Sequence, residues 1–309
     1  MTPPVNPPSP LNAFALRWLF GLAGRAPWVL RAIRPIATCL VVIASSAVRT
    51  GTAVNARRIF PRLLSRREER AFATKVVGNF YDFVLDVAKF RSASAADLRT
   101  HIDGTDGLDA YNACRKSKRG AILVTAHMGS FEVGLAALVG AEPTVHVVYK
   151  RDAFAAFDTM REQLRTRLGA GGIAIDDGWP SLFAMRTALE RDEVVVVQGD
   201  RAMPGQRCQH VPFLGGHLAL PLGPVTLSRI VGSPIVPVFT VRTGRDRFRV
   251  HLLPPIEYDP NEREIPDTAT SIDPTLRRIA VAIEQFVARY PEQWLVLSPA
   301  FVEDQPRAC

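Results

Sequence analysis

The stretch AILVTAHMGSFEVG, residues Ala121–Gly134, decides the fold of this chain. Its first part, Ala121–Ala126, is a mostly apolar run of strand length, which is typical of a strand buried on both faces of a parallel sheet. A short interruption follows, and Ser130 is a suitable N-cap for a helix over Phe131–Val139. His127 is therefore expected just beyond the carboxyl end of a strand, where open α/β sheets bind their ligands.

A carboxylate follows this histidine at a distance that allows the two side chains to meet. Glu132 lies in the first turn of the predicted helix, and we predict that it forms a catalytic pair with His127. The spacing alone is weakly specific, because His101 and Asp106 repeat it in a polar, turn-like stretch. There we interpret the histidine as structural or exposed. For His127 the alternative is a core histidine at the end of a strand.

A second buried strand also ends in an acid. Glu193–Gln198 (EVVVVQ) is the most β-like run of the chain, and Asp200 follows it at the position expected for a catalytic group. Asp200 is therefore a third candidate for the site.

Upstream, Ser65 and Glu68 form a capping box that predicts a long helix over Ser65–Lys89.

Helical and strand-like runs alternate along most of the chain, which predicts one α/β domain of the αβα type around a mixed, mostly parallel sheet. We place this domain at residues 55–303, between an N-terminal segment (1–54) and a short tail (304–309). The sequence NARRIFP, Asn55–Pro61, is interpreted as a turn at the start of the domain.

The formal net charge of +8 is confined to the N-terminal part of the chain. Residues 1–70 hold eleven arginines and two acids, and the remainder is about neutral. Arginines alternate with apolar residues over 17–34, which is typical of a segment lying on an anionic membrane surface. After Arg17, the longest uncharged stretch of this part, Pro35–Val48, has fourteen residues, fewer than the roughly 18 that usually indicate a membrane span. Behind a Pro-rich tip we expect one or two interfacial helices, with a tilted or helix-pair insertion as the alternative.

Several other site classes are disfavoured. The four cysteines (Cys39, Cys114, Cys208 and Cys309) form no CxxC or Cys/His cluster, so we expect no metal site and no disulfide framework. Gly169–Gly172 matches neither a dinucleotide-binding loop nor a P-loop, and no GxSxG nucleophile elbow is present. Nucleic-acid binding is disfavoured because no recognised motif accompanies the arginines.

Four blocks, in order along the chain, resemble the lipid A biosynthesis acyltransferase family, within the wider lysophospholipid acyltransferase superfamily. HMGSFE at His127–Glu132 is similar to the family's H-x4-[DE] motif. The other blocks are YKRDAFAAFDTMREQLRTRLG at 149–169, QGDRAMPGQRCQHVPFLGG at 198–216, and GPVTLSRIVGSPIVPVF with the later YPEQWLVL. The resemblance covers roughly 55–302. It departs from the family at Ser130-Phe131, where Asn-Trp is usual, and at Asp200-Arg201, where Asp-Gln is common; both departures bear on the acceptor.

The resemblance implies a glycerol-phosphate-acyltransferase-like fold and transfer of a fatty acyl chain from a thioester to a lipid hydroxyl. The donor would be acyl carrier protein or CoA, with no other cofactor, and the acceptor a lipid A precursor or related glycolipid at the cytoplasmic face of the bacterial inner membrane. Membrane lipids and acyl carrier protein are the implied partners. Alternatives are the same chemistry on a lysophospholipid, aminolipid or aryl-polyene-type lipid, and a non-catalytic membrane-binding scaffold.

On this interpretation His127 is the general base, Glu132 holds its ring, and Asp200 orients either His127 or the acceptor. Backbone N–H groups near 129–131 would stabilise the oxyanion. The side chains expected to contact substrate are Arg165, Arg161, Arg151, Ser130, Phe131 and Arg201. Phe131, Phe213, Leu214 and the 218–222 stretch are candidate walls of an acyl slot, with plain core packing as the alternative.

Overall fold

The computed structural model describes residues 26–151, 155–257, 259 and 271–305. The Pro-rich tip and the first arginines therefore lie outside the described residues. The helices are α1 (Pro27–Ala44), α2 (Ser46–Ile59), α3 (Arg66–Phe90), α4 (Ala95–Arg99), α5 (Leu108–Arg115), α6 (Phe131–Leu138), α7 (Ala155–Leu168), α8 (Trp179–Glu190), α9 (Gly223–Val231) and α10 (Pro274–Arg289). The strands are β1 (Ile102–Asp106), β2 (Ala121–Thr125), β3 (Val145–Tyr149), β4 (Gly171–Ala174), β5 (Val194–Gln198), β6 (Cys208–Phe213), β7 (Gly216–Pro221), β8 (Ile235–Gly244) and β9 (Arg247–Leu252).

A seven-stranded sheet in the order β1–β9–β8–β2–β5–β3–β4 forms the middle layer. All neighbouring strands are parallel except β8 and β9, which form an antiparallel pair. The strands β6 and β7 make a separate antiparallel hairpin. The predicted mixed, mostly parallel sheet of an α/β domain is therefore confirmed.

Alternate side chains of β2 enter two different hydrophobic cores. Ile122 and Val124 pack with residues of α2, α8, α9 and α10, whereas Ala121 and Leu123 pack with residues of α4, α5, α6 and α7. All four side chains are fully buried. Helices therefore cover both faces of the sheet, because apolar side chains of its central strand point to both faces and each face needs a covering layer.

The segment predicted as a turn at Asn55–Pro61 is mostly helical. Asn55 is buried inside α2. Its Nδ2 donates to the carbonyl oxygens of Val296 and Ser298, and its Oδ1 accepts a hydrogen bond from the backbone N–H of Ala300. The turn prediction is wrong because this amide caps a distant chain segment instead of its own backbone. The predicted domain boundary between residues 54 and 55 falls within this helix.

Helix α1 is longer than the sequence pattern indicated. It begins at Pro27, and by length and composition it is long and apolar enough to cross a membrane. The uncharged stretch counted from the sequence began only after Arg34. In the structure, however, Arg34 forms an ion pair with Asp82, and Arg31 forms one with Asp246. The outer side of α1 is an exposed apolar face made of Ile33, Ile36, Leu40, Val41 and Ile43.

The polar stretch after His101, interpreted as turn-like, forms the edge strand β1, and the ring of His101 makes a hydrogen bond with the carbonyl oxygen of Asp246. This strand was missed because short edge strands carry polar residues that resemble turns. The sequence PFLGG at 212–216 forms the tip of the β6–β7 hairpin.

Candidate active site

Two parallel strands bring His127 and Asp200 together. In the β2–β5 pair, Thr125 lies opposite Gln198, so the two candidates follow the ends of adjacent strands. The N–H of Gly199 donates to the carbonyl oxygen of Thr125 at 2.8 Å. A Cβ at Gly199 would lie 2.6 Å from the side chain of a neighbouring valine, so glycine allows the two strand ends to approach this closely.

Asp200 is a fully buried carboxylate whose oxygens receive three N–H groups. Nδ1 of His127 lies 2.7 Å from Oδ1, the backbone N–H of His127 donates to Oδ2 at 3.2 Å, and Nε1 of Trp294 donates to Oδ2 at 2.9 Å. Burial alone would raise the pKa of Asp200, but His127, Arg201 and Trp294 hold that pKa well below its usual range. The carboxylate is therefore ionised and can only accept hydrogen bonds.

This contact determines the tautomer of His127. Because the carboxylate of Asp200 only accepts, Nδ1 must carry the proton, which in a neutral ring leaves Nε2 as the proton acceptor. Nε2 makes no hydrogen bond to any residue that the structure describes, and about a quarter of the side chain (24%) is exposed. Nε2 is therefore the ring nitrogen that is free to accept a proton from a substrate.

The loop that carries His127 is held by the C-terminal segment. The N–H of Gly129 donates to the carbonyl oxygen of Gln293, and the N–H of Leu295 donates to that of His127. Gly129 has φ +56°, and a Cβ there would lie 2.0 Å from the carbonyl oxygen of Thr240. Glycine is therefore required at this close backbone approach, and the segment Pro291–Leu295 is part of the site.

Glu132 does not hold the ring of His127, so the predicted hydrogen bond between them is wrong. Its carboxylate accepts from Nε of Arg161 at 2.8 Å and from Nη2 of Arg165 at 2.6 Å. Burial alone would raise the pKa of Glu132, but Arg165 and Arg161 hold it below its usual value. The first turn of α6 directs Glu132 toward two guanidinium groups of α7, and Asp200 on the neighbouring strand takes the ring instead.

The two arginines of α7 differ in their surroundings. Arg165 is 4% exposed, and its guanidinium carbon lies 4.8 Å from the centre of the Tyr149 ring. Arg161 lies one turn earlier, lines a cavity next to Glu132 and approaches Asp158 at 3.9 Å. The sequence prediction that these arginines belong to the site is consistent with their contact with Glu132, which is fully buried.

Ser130 is buried but is not the side-chain cap of α6. Its Oγ donates to Oδ2 of Asp86 at 2.9 Å, and the guanidinium of Arg242 also binds Asp86. Burial raises the pKa of Asp86 to about 6, against the opposing effects of Arg242 and Ser130. Asp86 thus ties α3 to the loop after His127, a connection that sequence spacing did not reveal because 44 residues separate Asp86 from Ser130.

Phe131 lies beside the imidazole, whereas the other predicted slot walls do not. Its ring centre is 6.3 Å from that of His127 and 4.6 Å from that of Phe83, on which it stacks. Phe213 and Leu218 are fully buried and pack in the core beneath the hairpin, so core packing explains them.

A small cavity lies between α6 and the sheet. It has a volume of about 50 Å³ and is lined mainly by apolar side chains, among them Phe131, Leu135 and Val196. Nε2 of Gln198, at the same cavity, is buried without a hydrogen-bond partner in the described part of the chain. Ligand pockets usually measure about 300 Å³ or more, so this cavity is too small to hold a long acyl chain.

The remaining arginine candidates are exposed. Arg151 is exposed and forms an ion pair with Asp177 at 2.7 Å. Arg201 is exposed, directly follows Asp200 and lowers its pKa through its charge. Within the described ranges, no three His, Cys, Asp or Glu side chains are grouped closely enough to hold a metal ion.

Three residues of the site were not identified from the sequence: Asp86, Gln293 and Trp294. Gln293 and Trp294 belong to YPEQWLVL, one of the blocks that carry the family resemblance. The sequence signal was therefore present, but nothing in it indicated contact with Asp200. Asp86 lies in a helix whose apolar stripe gave no reason to select an acid.

Comparison with known proteins supports an enzymatic assignment. No curated protein matches the chain in sequence. A profile described as bacterial lipid A biosynthesis acyltransferase matches residues 14–302, nearly the whole chain. The matched range includes α1 and every residue of the site described above. The chain therefore belongs to the bacterial lipid A biosynthesis acyltransferase family and is an acyltransferase that acts on lipid.

Proposed function

We propose that this acyltransferase moves a fatty acyl chain from a thioester to a hydroxyl of a lipid A precursor or related glycolipid, with His127 as general base. The observation that carries this proposal is the hydrogen bond between Nδ1 of His127 and Asp200. It leaves Nε2 of His127 unprotonated on the exposed edge of the ring. The thioester is carried by acyl carrier protein or CoA.

The reaction follows from the position of that nitrogen. Nε2 of His127 removes the proton of the acceptor hydroxyl as its oxygen attacks the thioester carbonyl carbon. When the tetrahedral intermediate collapses, the C–S bond breaks and the imidazolium returns the proton to the departing thiolate. Such general-base assistance contributes typically about 10²–10⁴-fold. Asp200 stabilises the imidazolium, so no covalent enzyme intermediate is required.

The start of α6 supplies the oxyanion donors in this proposal. The N–H of Gly129 is already bonded to Gln293, whereas those of Ser130 and Phe131 have no acceptor among the described residues. A helix N-terminus favours negative charge. The ion pairs of Glu132 with Arg161 and Arg165 anchor this first turn to α7.

Membrane association suits this activity because both the acceptor and the product are lipids. The exposed apolar face of α1 is continuous along the helix, and Leu30 at its start packs in a cluster that includes Phe83 and Phe131. We place the protein at the cytoplasmic face of the bacterial inner membrane, where thioester donors occur. Helix α1 thereby holds the site next to the lipid surface.

The experiment is to incubate the detergent-purified protein with a total bacterial lipid extract and an isotopically labelled fatty acyl chain, carried as the thioester of acyl carrier protein or of CoA. Mass spectrometry then locates the labelled chain. Label on a phosphorylated glycolipid supports the proposal, and label on a lysophospholipid, aminolipid or polyene lipid replaces the acceptor. Absence of label from every lipid with both donors, using folded protein, contradicts it and favours a membrane-binding scaffold.

A further inference from the structure

A second cleft opens between α1, α3 and the β8–β9 hairpin, away from the imidazole. It has a volume of about 560 Å³ and is lined largely by charged side chains: Arg31, Arg34, Asp82, Asp86, Arg242, Arg245 and Asp246. A volume of this size is within the range of small-molecule sites. Two of these residues, Arg31 and Arg34, belong to the stretch over 17–34 in which arginines alternate with apolar residues.

Positive charge exceeds negative charge in this cleft. Arg34 binds Asp82 through two hydrogen bonds of 2.8 Å, and Arg242 binds Asp86. Asp246 is shared by Arg31 and by Lys89, which approaches it at 2.9 Å. The three acids are therefore matched against five basic side chains, the fifth being Arg245.

Arg245 is the side chain available to a ligand. It is exposed at the turn between β8 and β9, and it makes no hydrogen bond or ion pair with any described residue. Arg31 also carries positive charge that its partner does not fully neutralise, because Asp246 is paired with Lys89 as well. Planar guanidinium groups bind phosphate oxygens in pairs, which distinguishes such a cluster from one built of lysines.

The location of the cleft identifies the source of the anion. Trp28 at its rim is 67% exposed, and tryptophan is enriched at the depth of lipid headgroups. The exposed apolar face of α1 continues from there along the same helix. The floor residue Asp86 accepts a hydrogen bond from Ser130, in the loop that follows His127. The cleft is thus placed between the headgroup layer and the active site.

We propose that this cleft binds the phosphate monoester of a lipid headgroup, with Arg245 and Arg31 as its ligands. This inference rests on the proposed function only in taking that lipid to be the acyl acceptor. It assigns to the headgroup a site distinct from the imidazole, so that a phosphorylated lipid is held while its hydroxyl reaches Nε2 of His127.

The test measures binding of short-chain phosphatidic acid to the full chain in neutral detergent micelles. Diacylglycerol of the same chain length is the phosphate-free comparison, and inorganic phosphate is titrated alone. The variants are Arg245→Glu and Arg31→Gln. Arg67→Glu is the matched control for Arg245→Glu, because Arg67 is an exposed arginine of α3 outside the cleft and its replacement changes the net charge by the same amount.

We expect Arg31→Gln to weaken phosphatidic acid binding about tenfold, the effect of losing one charge-assisted hydrogen bond. Arg245→Glu should weaken it more, because it also places a carboxylate beside the phosphate. Diacylglycerol binding stays unchanged, and Arg67→Glu behaves like wild type. Equal weakening by Arg67→Glu, or no preference for phosphatidic acid over diacylglycerol, overturns the inference. Inorganic phosphate bound as tightly as the lipid overturns the headgroup assignment.

This binding assay is independent of acyl transfer. If the cleft variants lose phosphatidic acid binding while wild-type protein transfers no acyl chain, the cleft stands and the proposed function fails. If acyl transfer to a lipid occurs and the cleft variants bind phosphatidic acid normally, the proposed function stands and the cleft inference fails.

Discussion

Nδ1 of His127 lies 2.7 Å from Oδ1 of Asp200, although 73 residues separate them in the chain. The two side chains follow the ends of adjacent parallel strands, so the sheet itself fixes their distance. The carboxylate that orients the ring thus comes from the neighbouring strand and not from the helix that follows the histidine.

Asp200→Asn should reduce acyl transfer by roughly 10²-fold or more, because an amide can present its N–H to Nδ1 and so favour the wrong tautomer of His127. Trp294→Phe removes one of three donors to the same carboxylate and should cause a smaller loss. We expect both to lower kcat with little change in KM for the lipid. Steady-state kinetics measure this, and a Trp294→Phe effect confined to KM would argue against a positioning role.

Glu132→Gln should destabilise the fold by about 3–5 kcal/mol, because it leaves two largely buried guanidinium groups without their carboxylate. The matched control is Glu142→Gln, since Glu142 is also buried and is bonded by Arg115 and Tyr111 at the opposite end of the sheet. Thermal unfolding should show a loss for both variants. Acyl transfer per folded molecule should fall for Glu132→Gln alone, and an equal fall in both would remove Glu132 from the site.

The protein should become less stable as the pH rises from about 4 to 6, because of the titration of Asp86. Burial raises the pKa of this carboxyl from its usual 3.8 to about 6 in the fold. The folded state therefore retains a proton that the unfolded chain has lost, and stability falls with rising pH. The shift corresponds to about 3 kcal/mol.

Denaturant unfolding of wild type and Asp86→Asn across this pH range measures the effect. The difference between their unfolding free energies isolates Asp86 from other acids, whose effects are common to both proteins. We expect this difference to change by a large part of that amount between pH 4 and pH 7. A difference that is flat with pH would contradict a raised pKa of Asp86 in the folded state.

The apolar face of α1 should control membrane binding. Ile36→Glu and Leu40→Glu each place a charge on this face, where the native side chains are 65% and 58% exposed. Val281→Glu is the control, because Val281 is an exposed apolar residue on α10, outside α1. Flotation with vesicles of bacterial lipid should show loss of the two α1 variants from the membrane fraction. Equal retention of all three would assign membrane binding to another surface.

The fold was predictable from the sequence because its central signals are local. The apolar run before His127 and the run before Asp200 each specify a buried strand, and the capping box at Ser65 is present as predicted. The turn predicted at Asn55 failed because its hydrogen-bond partners lie about 240 residues away. Contacts of that kind leave no periodicity in the sequence.

The composition of the site was predicted better than its connections. His127, Glu132, Asp200 and Arg165 were all selected, but Glu132 was paired with the wrong partner. Sequence proximity favoured the carboxylate five residues away. The structure favours the one on the adjacent strand, because β2 and β5 run parallel and in register. Trp294 could not be placed before the C-terminal segment was seen to pair with the histidine loop.

The central claim is that His127 is the base of an acyl transfer to lipid. It is tested most directly by lipid-dependent thiol release from the acyl donor, compared between His127→Ala and His146→Ala. His146 is a suitable control because it also bonds a carboxylate, Glu193 at 2.6 Å, on β3. We predict that His127→Ala lowers the rate by about 10²-fold or more, whereas His146→Ala retains the wild-type rate. Equal activity of folded His127→Ala and wild-type protein would contradict the account.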